Sequence, residues 1–185
     1  MKIVPTCAAI EKMKYLQRLS VWASSDDEIL DLQYISSPPL YLQRLGLNGR
    51  LEKLPNWILK LENLVTLYLL GSDLTENDPL KALQVLPSLV RLVLWDAYDG
   101  KQLYFEERAL PLLKELTIEP SPQLKEVPSG IHYLRNLKTL EFVGMPEEFI
   151  DRMEPKTQPR KRLLDRRAHP SCHALFPNRK TKFYY

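Results

Sequence analysis

Leu64-Val65-Thr66-Leu67-Tyr68-Leu69 is one of six copies of a single phrase, Leu-x-x-Leu-x-φ with φ apolar. The others are Leu16-x-x-Leu19-x-Val21, Leu42-x-x-Leu45-x-Leu47, Leu89-x-x-Leu92-x-Leu94, Leu113-x-x-Leu116-x-Ile118 and Leu137-x-x-Leu140-x-Phe142. Successive copies are offset by 26, 22, 25, 24 and 24 residues. The phrase and its period are those of a leucine-rich repeat, in which each phrase is a strand. Strand residues alternate between faces, so the second leucine and φ of every copy point to one side. One unit cannot bury those side chains by itself, whereas stacked units bury them on each other in a continuous core.

Upstream of the phrase, apolar residues sit three and six positions earlier in most copies: Ile10 and Met13, Ile58 and Leu61, Leu83 and Leu86, Ile131 and Leu134, with Leu110 in the fifth. Pro55 and Pro128 precede two of these runs. A spacing of three next to a proline describes a short helix or 3-10 turn, because proline is tolerated only at such a start. A leucine-rich helical bundle would need an uninterrupted 3.6-residue period, and prolines at 38, 39, 55, 79, 87, 111, 120, 122 and 128 break it.

The expected fold is therefore an α/β leucine-rich-repeat solenoid of about six repeats. A curved parallel sheet lines its concave side, and short helical or 3-10 returns form its convex side. Strands are expected near 17–22, 43–48, 65–70, 90–95, 114–119 and 138–143. Pro146 can open a capping helix over about 146–154, with acids in its first turn and Phe149, Ile150 and Met153 laid over the last strand. The first copy carries no such cap, so the face formed by Ile10, Met13, Leu16 and Leu19 is expected to be uncovered and prone to self-association.

Composition supports this reading: 35 of 185 residues are leucine, about twice ordinary usage. Charge divides the chain, with a net −4 over residues 1–150 and a net +7 over 151–185. The domain boundary is accordingly placed at 155, with 156–185 a basic, disordered tail. The longest apolar run, Leu64 to Leu70, is too short to span a bilayer. No asparagine begins an Asn-x-Ser/Thr sequon, Met1–Ile10 makes a poor signal peptide, and Cys7 and Cys172 offer no disulfide framework. A cytoplasmic protein without membrane partners is expected.

Signs of catalysis or cofactor binding are weak. Neither a P-loop, a dinucleotide fingerprint nor a nucleophile elbow occurs. The carboxylate runs Asp26-Asp27-Glu28, Glu106-Glu107 and Glu147-Glu148 suit solvated loops and helix starts better than acid–base chemistry. His169, Cys172 and His173 gather three metal-ligand types but lack a fourth and the usual paired spacing. Arg160-Lys161-Arg162 and Arg166-Arg167 fit a soluble tail better than a nucleic-acid patch. The chain is expected to be non-enzymatic, with no cofactor, no metal and no nucleic-acid partner.

The concave sheet remains. Its outward positions form three rows: Arg18, Arg44, Thr66, Arg91, Glu115, Thr139; then Ser20, Gly46, Tyr68, Val93, Thr117, Glu141; then Trp22, Asn48, Leu70, Trp95, Glu119, Val143. Arginines gather toward the first strands and glutamates toward the last. Trp, Tyr and Arg are the residues most enriched in binding hot spots. The candidate protein-binding residues are therefore Arg18, Trp22, Arg44, Tyr68, Arg91, Trp95, Glu115, Glu119 and Glu141. A plainer alternative is that the aromatics pack onto neighbouring ridges.

Several longer stretches carry more than the bare register. Ile10-Glu-Lys-Met-Lys-Tyr-Leu-Gln-Arg-Leu19, Asp27-Glu-Ile-Leu-Asp-Leu32 with Ser36-Ser-Pro-Pro39, Leu51-Glu-Lys-Leu-Pro-Asn-Trp-Ile58, Val127-Pro-Ser-Gly-Ile-His-Tyr-Leu-Arg-Asn-Leu137 and Met145-Pro-Glu-Glu148 resemble the C-terminal repeats of plant disease-resistance proteins. The class is the coiled-coil nucleotide-binding leucine-rich-repeat immune receptors, and the likeness covers residues 1 to 155. The resemblance implies a sensor whose partner is a pathogen effector, a guarded host protein, or the nucleotide-binding domain that it holds inactive. The coiled coil and nucleotide-binding domain have no counterpart here, so nucleotide exchange and switching are not implied for this polypeptide; a fragment of such a receptor is the expectation. The basic tail after Met153 has no counterpart in the resemblance. The competing expectation is a free-standing intracellular repeat scaffold that regulates signalling enzymes.

Overall fold

A computed structural model describes residues 4–25, 27–74, 79–98, 100, 102–119, 121, 123–153 and 180–184. Six strands occupy the six phrases: β1 Arg18–Trp22, β2 Arg44–Asn48, β3 Thr66–Leu70, β4 Arg91–Trp95, β5 Glu115–Glu119 and β6 Thr139–Val143. Each begins one residue inside its expected bounds. They pair in sequence order, all parallel, with Leu19, Leu45, Leu67, Leu92, Leu116 and Leu140 in one register. Parallel neighbours need a crossover of a dozen residues or more, and the 22- to 26-residue period provides one.

Entry to each strand uses the same hydrogen-bond device. Gln43 and Arg44 N–H both donate to the Gln17 carbonyl, Val65 and Thr66 to Gln43, Val90 and Arg91 to Val65, Lys114 and Glu115 to Val90, and Lys138 and Thr139 to Lys114, all at 2.8–3.1 Å. Exit is equally regular, since the chain must turn sharply toward the convex side. Gly71 after β3 (φ +57°) and Gly144 after β6 (φ +65°) take the left-handed conformation that a residue without Cβ enters at no steric cost. Asp96 does the same after β4, at φ +47°, and aspartate is one of the few other residues that tolerates it.

The returns are short: α1 Val4–Lys12, a 3-10 turn Asn56–Lys60, α2 Pro79–Leu83, a 3-10 turn Ile131–Tyr133, and α3 Glu147–Met153. Pro55 stands just ahead of the first 3-10 turn in extended backbone, rather than within it. The inward leucines of β2 to β6, with Ile58, Leu61, Leu83, Leu86, Leu113 and Leu134, form one continuous core. Side-chain braces tie successive returns together. The Trp57 indole N–H donates to the Leu32 carbonyl at 2.9 Å, and buried Gln84 donates to the Tyr104 carbonyl while accepting from Glu106 N–H. Buried polar groups are tolerable when paired in this way.

At the C-terminal end α3 meets the expectation at Phe149 and Met153, while Ile150 is not part of the core. Phe149 is buried with its ring centroid 4.8 Å from that of Phe142, Met153 packs against the core, and Pro146 carbonyl accepts from Phe149 and Ile150 N–H. At the other end the expected uncovered face is only partly found. Ile10 is buried along with Cys7, both on α1 and both part of the continuous core, and the Cys7 Sγ lies 3.7 Å from the Asp31 carbonyl. Met13 turns outward at 51% exposure, while Leu16, Leu19 and Val21 are half-buried.

The tail expectation needs correction over its last residues. Lys180–Tyr184 forms β7, antiparallel to β6, with Leu140 opposite Phe183 and Phe142 opposite Thr181, so the sheet has seven strands rather than six. Without it β6 would present an open row of backbone donors and acceptors, and Thr-Lys-Phe-Tyr is rich in β-branched and aromatic residues that favour a strand. The basic runs at 160–162 and 166–167 and the His169/Cys172/His173 cluster lie outside the described residues.

Candidate protein-binding face

The register generates the face directly. Arg18, Arg44, Thr66, Arg91, Glu115 and Thr139 are successive partners across the sheet, as are Ser20, Gly46, Tyr68, Val93, Thr117 and Glu141. Trp22, Asn48, Leu70, Trp95 and Glu119 make the third row. The nine candidate residues therefore share one surface, with adjacent strands about 4.8 Å apart.

Their environments differ. Arg18, Arg44 and Arg91 are exposed, and Trp22 stands 69% exposed. Tyr68, Trp95, Glu115, Glu119 and Glu141 are half-buried. Trp22 thus faces water, whereas the rings of Tyr68 and Trp95 are partly covered.

Charge is arranged as a polar gradient across the strands. On β4 the Arg91 guanidinium is held further toward its charged form, first by the Tyr68 hydroxyl that accepts from it and, against some desolvation, by Glu115. Its Nε donates to the Glu115 carboxylate at 2.6 Å, and a second guanidinium nitrogen also contacts that carboxylate. Thr117 Oγ1 reaches Glu141 at 3.5 Å. The middle and last strands are thereby cross-linked through their own side chains. On β1 and β2, by contrast, Arg18 and Arg44 stand side by side with no ion pair among the described residues.

An exposed aromatic pair went unread in the sequence. Tyr15 and Tyr41, at 81% and 57% exposure, stack with ring centroids 5.6 Å apart at the strand-entry edge of β1 and β2. The signal lay in the row just before each phrase: Tyr15, Tyr41, Asn63, Ser88, Leu112, Asn136. In that row Asn63 and Asn136 donate to the Leu40 and Pro111 carbonyls of the preceding repeat, at 3.0 and 2.7 Å. Tyrosine cannot make that brace, and the two rings cover each other instead.

No group of three or more histidine, cysteine or acidic side chains with metal-site geometry occurs among the described residues. No helix of the described residues is long and apolar enough to cross a membrane.

No protein-family model matches the chain. Among curated proteins, disease resistance protein RPM1 of Arabidopsis thaliana is 29% identical over 170 residues, covering 80% of this chain and 18% of the relative. Disease resistance protein RPP8 of Arabidopsis thaliana is 24% identical over 175 residues, covering 80% and 19%. Disease resistance protein Pik-2 of Oryza sativa subsp. japonica is 36% identical over 77 residues, covering 42% and 7%. The chain spans less than a fifth of the length of these relatives. A leucine-rich-repeat solenoid whose homologues are the plant NB-LRR disease-resistance proteins is what the sequence register, the fold and the relatives together describe.

Proposed function

We propose that the chain is a non-enzymatic protein-binding module in plant disease resistance. Its concave sheet acts as the sensing surface for a pathogen effector, a guarded host protein, or the nucleotide-binding domain of a receptor. The observation that carries this reading is the concave face itself. A continuous parallel sheet holds two tryptophans, a tyrosine and three arginines in fixed register. A protein surface that anchors such side chains on regular strands loses little side-chain entropy when it binds. The relatives, all named as disease resistance proteins, supply the biological setting. We further propose a cytoplasmic location, as the lack of Asn-x-Ser/Thr sequons in the sequence suggests.

The test is an interaction screen with the full chain as bait, followed by concave and convex variants of equal stability. Trp22→Ala and Trp95→Ala should each weaken capture of a true partner, while convex changes such as Lys60→Ala should not. Partner capture that survives both concave substitutions and is lost on the convex side would overturn the reading. Turnover of any substrate by the purified chain alone would overturn its non-enzymatic part.

A further inference from the structure

The first strands of the concave face leave a gap in the side-chain rows at Gly46. Gly46 is the one residue in the three outward rows without a side chain. A Cβ built on it would meet only Ser20, 3.3 Å from its Oγ, so the space above the glycine is otherwise open. The register gives its neighbours in the rows. Arg18 and Arg44 stand toward strand entry, Trp22 and Asn48 toward strand exit, Ser20 on one side and Tyr68 on the other.

No carboxylate occupies any of the nine outward positions of β1, β2 and β3. The acids of the face are all on β5 and β6, and the nearest, Glu115, is already engaged by Arg91. Arg18 and Arg44 are thus like charges on adjacent strands, about 4.8 Å apart at the backbone, with no ion pair among the described residues. Like charges directly opposite on a sheet are destabilising, and an anion between them relieves that repulsion. Guanidinium pairs suit the planar, bidentate geometry of a carboxylate.

We infer that the Gly46 notch receives an acidic side chain from an acidic segment of a partner protein, gripped between Arg18 and Arg44 and covered by the Trp22 ring. This rests on the reading of the concave face as a protein-binding surface and names the chemistry of its partner. A polypeptide fits better than a nucleic acid. Two guanidiniums are too few to neutralise a phosphodiester chain, and Glu115, Glu119 and Glu141 would repel its continuation across the sheet.

The test measures fluorescence anisotropy of a labelled twelve-residue peptide of alternating Glu and Ser with the full chain, beside the same peptide with Gln in place of Glu. Saturable binding of the Glu peptide alone is expected. Arg18→Gln with Arg44→Gln should weaken it at least about tenfold, the loss of a charge-assisted contact. Gly46→Leu, which changes no charge, should weaken it as well by filling the notch. The distant pair Lys114→Gln with Lys138→Gln, equal in charge change, should leave it within about twofold. Equal weakening by the lysine pair, unimpeded binding to Gly46→Leu, competition by single-stranded oligothymidine as strong as by the peptide, or no saturable binding would each overturn the inference. A protein partner that needs Trp95 yet ignores Arg18, Arg44 and Gly46 would leave the concave-face reading standing and remove only this one.

Discussion

Arg91 on β4 lies directly across from Glu115 on β5, and its Nε donates to the Glu115 carboxylate at 2.6 Å while the Tyr68 hydroxyl of β3 accepts from the same guanidinium. The pair ties β4 to β5 through side chains. Both partners of the ion pair remain about half exposed, and exposed pairs contribute little because solvent screens them. A double-mutant cycle of Arg91→Ala and Glu115→Ala should give a coupling of about 0.2–1 kcal/mol by urea denaturation. Glu115→Gln should meanwhile release Arg91 and raise affinity for the acidic probe peptide in anisotropy titrations. A coupling above about 2 kcal/mol would show that the pair is more desolvated than its exposure implies.

Burial along the strands predicts a graded cost of truncation. Leu92 is fully buried in a central strand, and Leu92→Ala should destabilise by about 2–5 kcal/mol, a transfer loss plus a cavity. Leu19 holds the same register position in β1 but is only half-buried. Leu19→Ala should therefore cost clearly less, since part of its surface is already in water. Chemical denaturation midpoints of the two variants check the order, and a reversal would mean that β1 is covered by something more than α1.

Ser72 carries a hydroxyl that is fully buried and lacks a hydrogen-bond partner among the described residues. Its backbone is well used, because its carbonyl accepts from Leu51 N–H at 3.0 Å. Removing an unsatisfied buried hydroxyl relieves a desolvation penalty of about 1–3 kcal/mol, offset by a small void. Ser72→Ala should be neutral to stabilising, read as a melting temperature at or above that of the parent. A fall of several degrees would reveal a partner for the hydroxyl.

Acid should loosen the junction of α1 with the second repeat. One oxygen of Glu11 accepts from Ser36 N–H at 2.6 Å, Ser36 Oγ at 2.9 Å and Ser37 N–H at 3.0 Å. These bonds, the Ser37 N–H foremost, hold the Glu11 carboxyl below its ordinary range. Its folded value lies below the unfolded one, so the stabilisation is present above the unfolded value, about 4.3, and is lost as pH falls through the folded value. Glu11→Gln should lower the melting temperature at pH 7, and the difference from the parent should shrink toward zero below that range. A difference independent of pH between 7 and 3 would assign the effect to packing.

Cys7 supplies a chemical check on the same junction. Burial first, then the nearby Asp31 and Glu11 carboxylates, push its thiol above the usual range, and its Sγ lies 3.7 Å from the Asp31 carbonyl. Thiolate is the reactive form, so Cys7 should react slowly with a disulfide reagent at pH 8 in the native chain and rapidly in denaturant. Fast labelling of the folded protein, followed by mapping of the modified peptide to Cys7, would show that α1 opens readily.

By itself the sequence determined the strands, their order and the membership of the concave rows. Parallel pairing of identical phrases leaves only one register in which Leu45, Leu67, Leu92 and Leu116 share a face. Period-two alternation then sends Arg44, Tyr68 and Trp95 to the other side. The capping helix was legible for a similar reason, since Pro146, the following acids and Phe149 are local signals. What only the tertiary structure decided depends on contacts between residues 20 to 26 positions apart, or further. It chose which arginine is spent internally, Arg91 on Tyr68 and Glu115, and which two, Arg18 and Arg44, stay open. It turned Met13 outward while burying Ile10, stacked Tyr15 on Tyr41, and set β7 antiparallel on β6. A repeat period specifies the backbone spacing of neighbours, but which side chains meet across that spacing is settled by the reach, charge and solvent exposure of each pair once the sheet has formed.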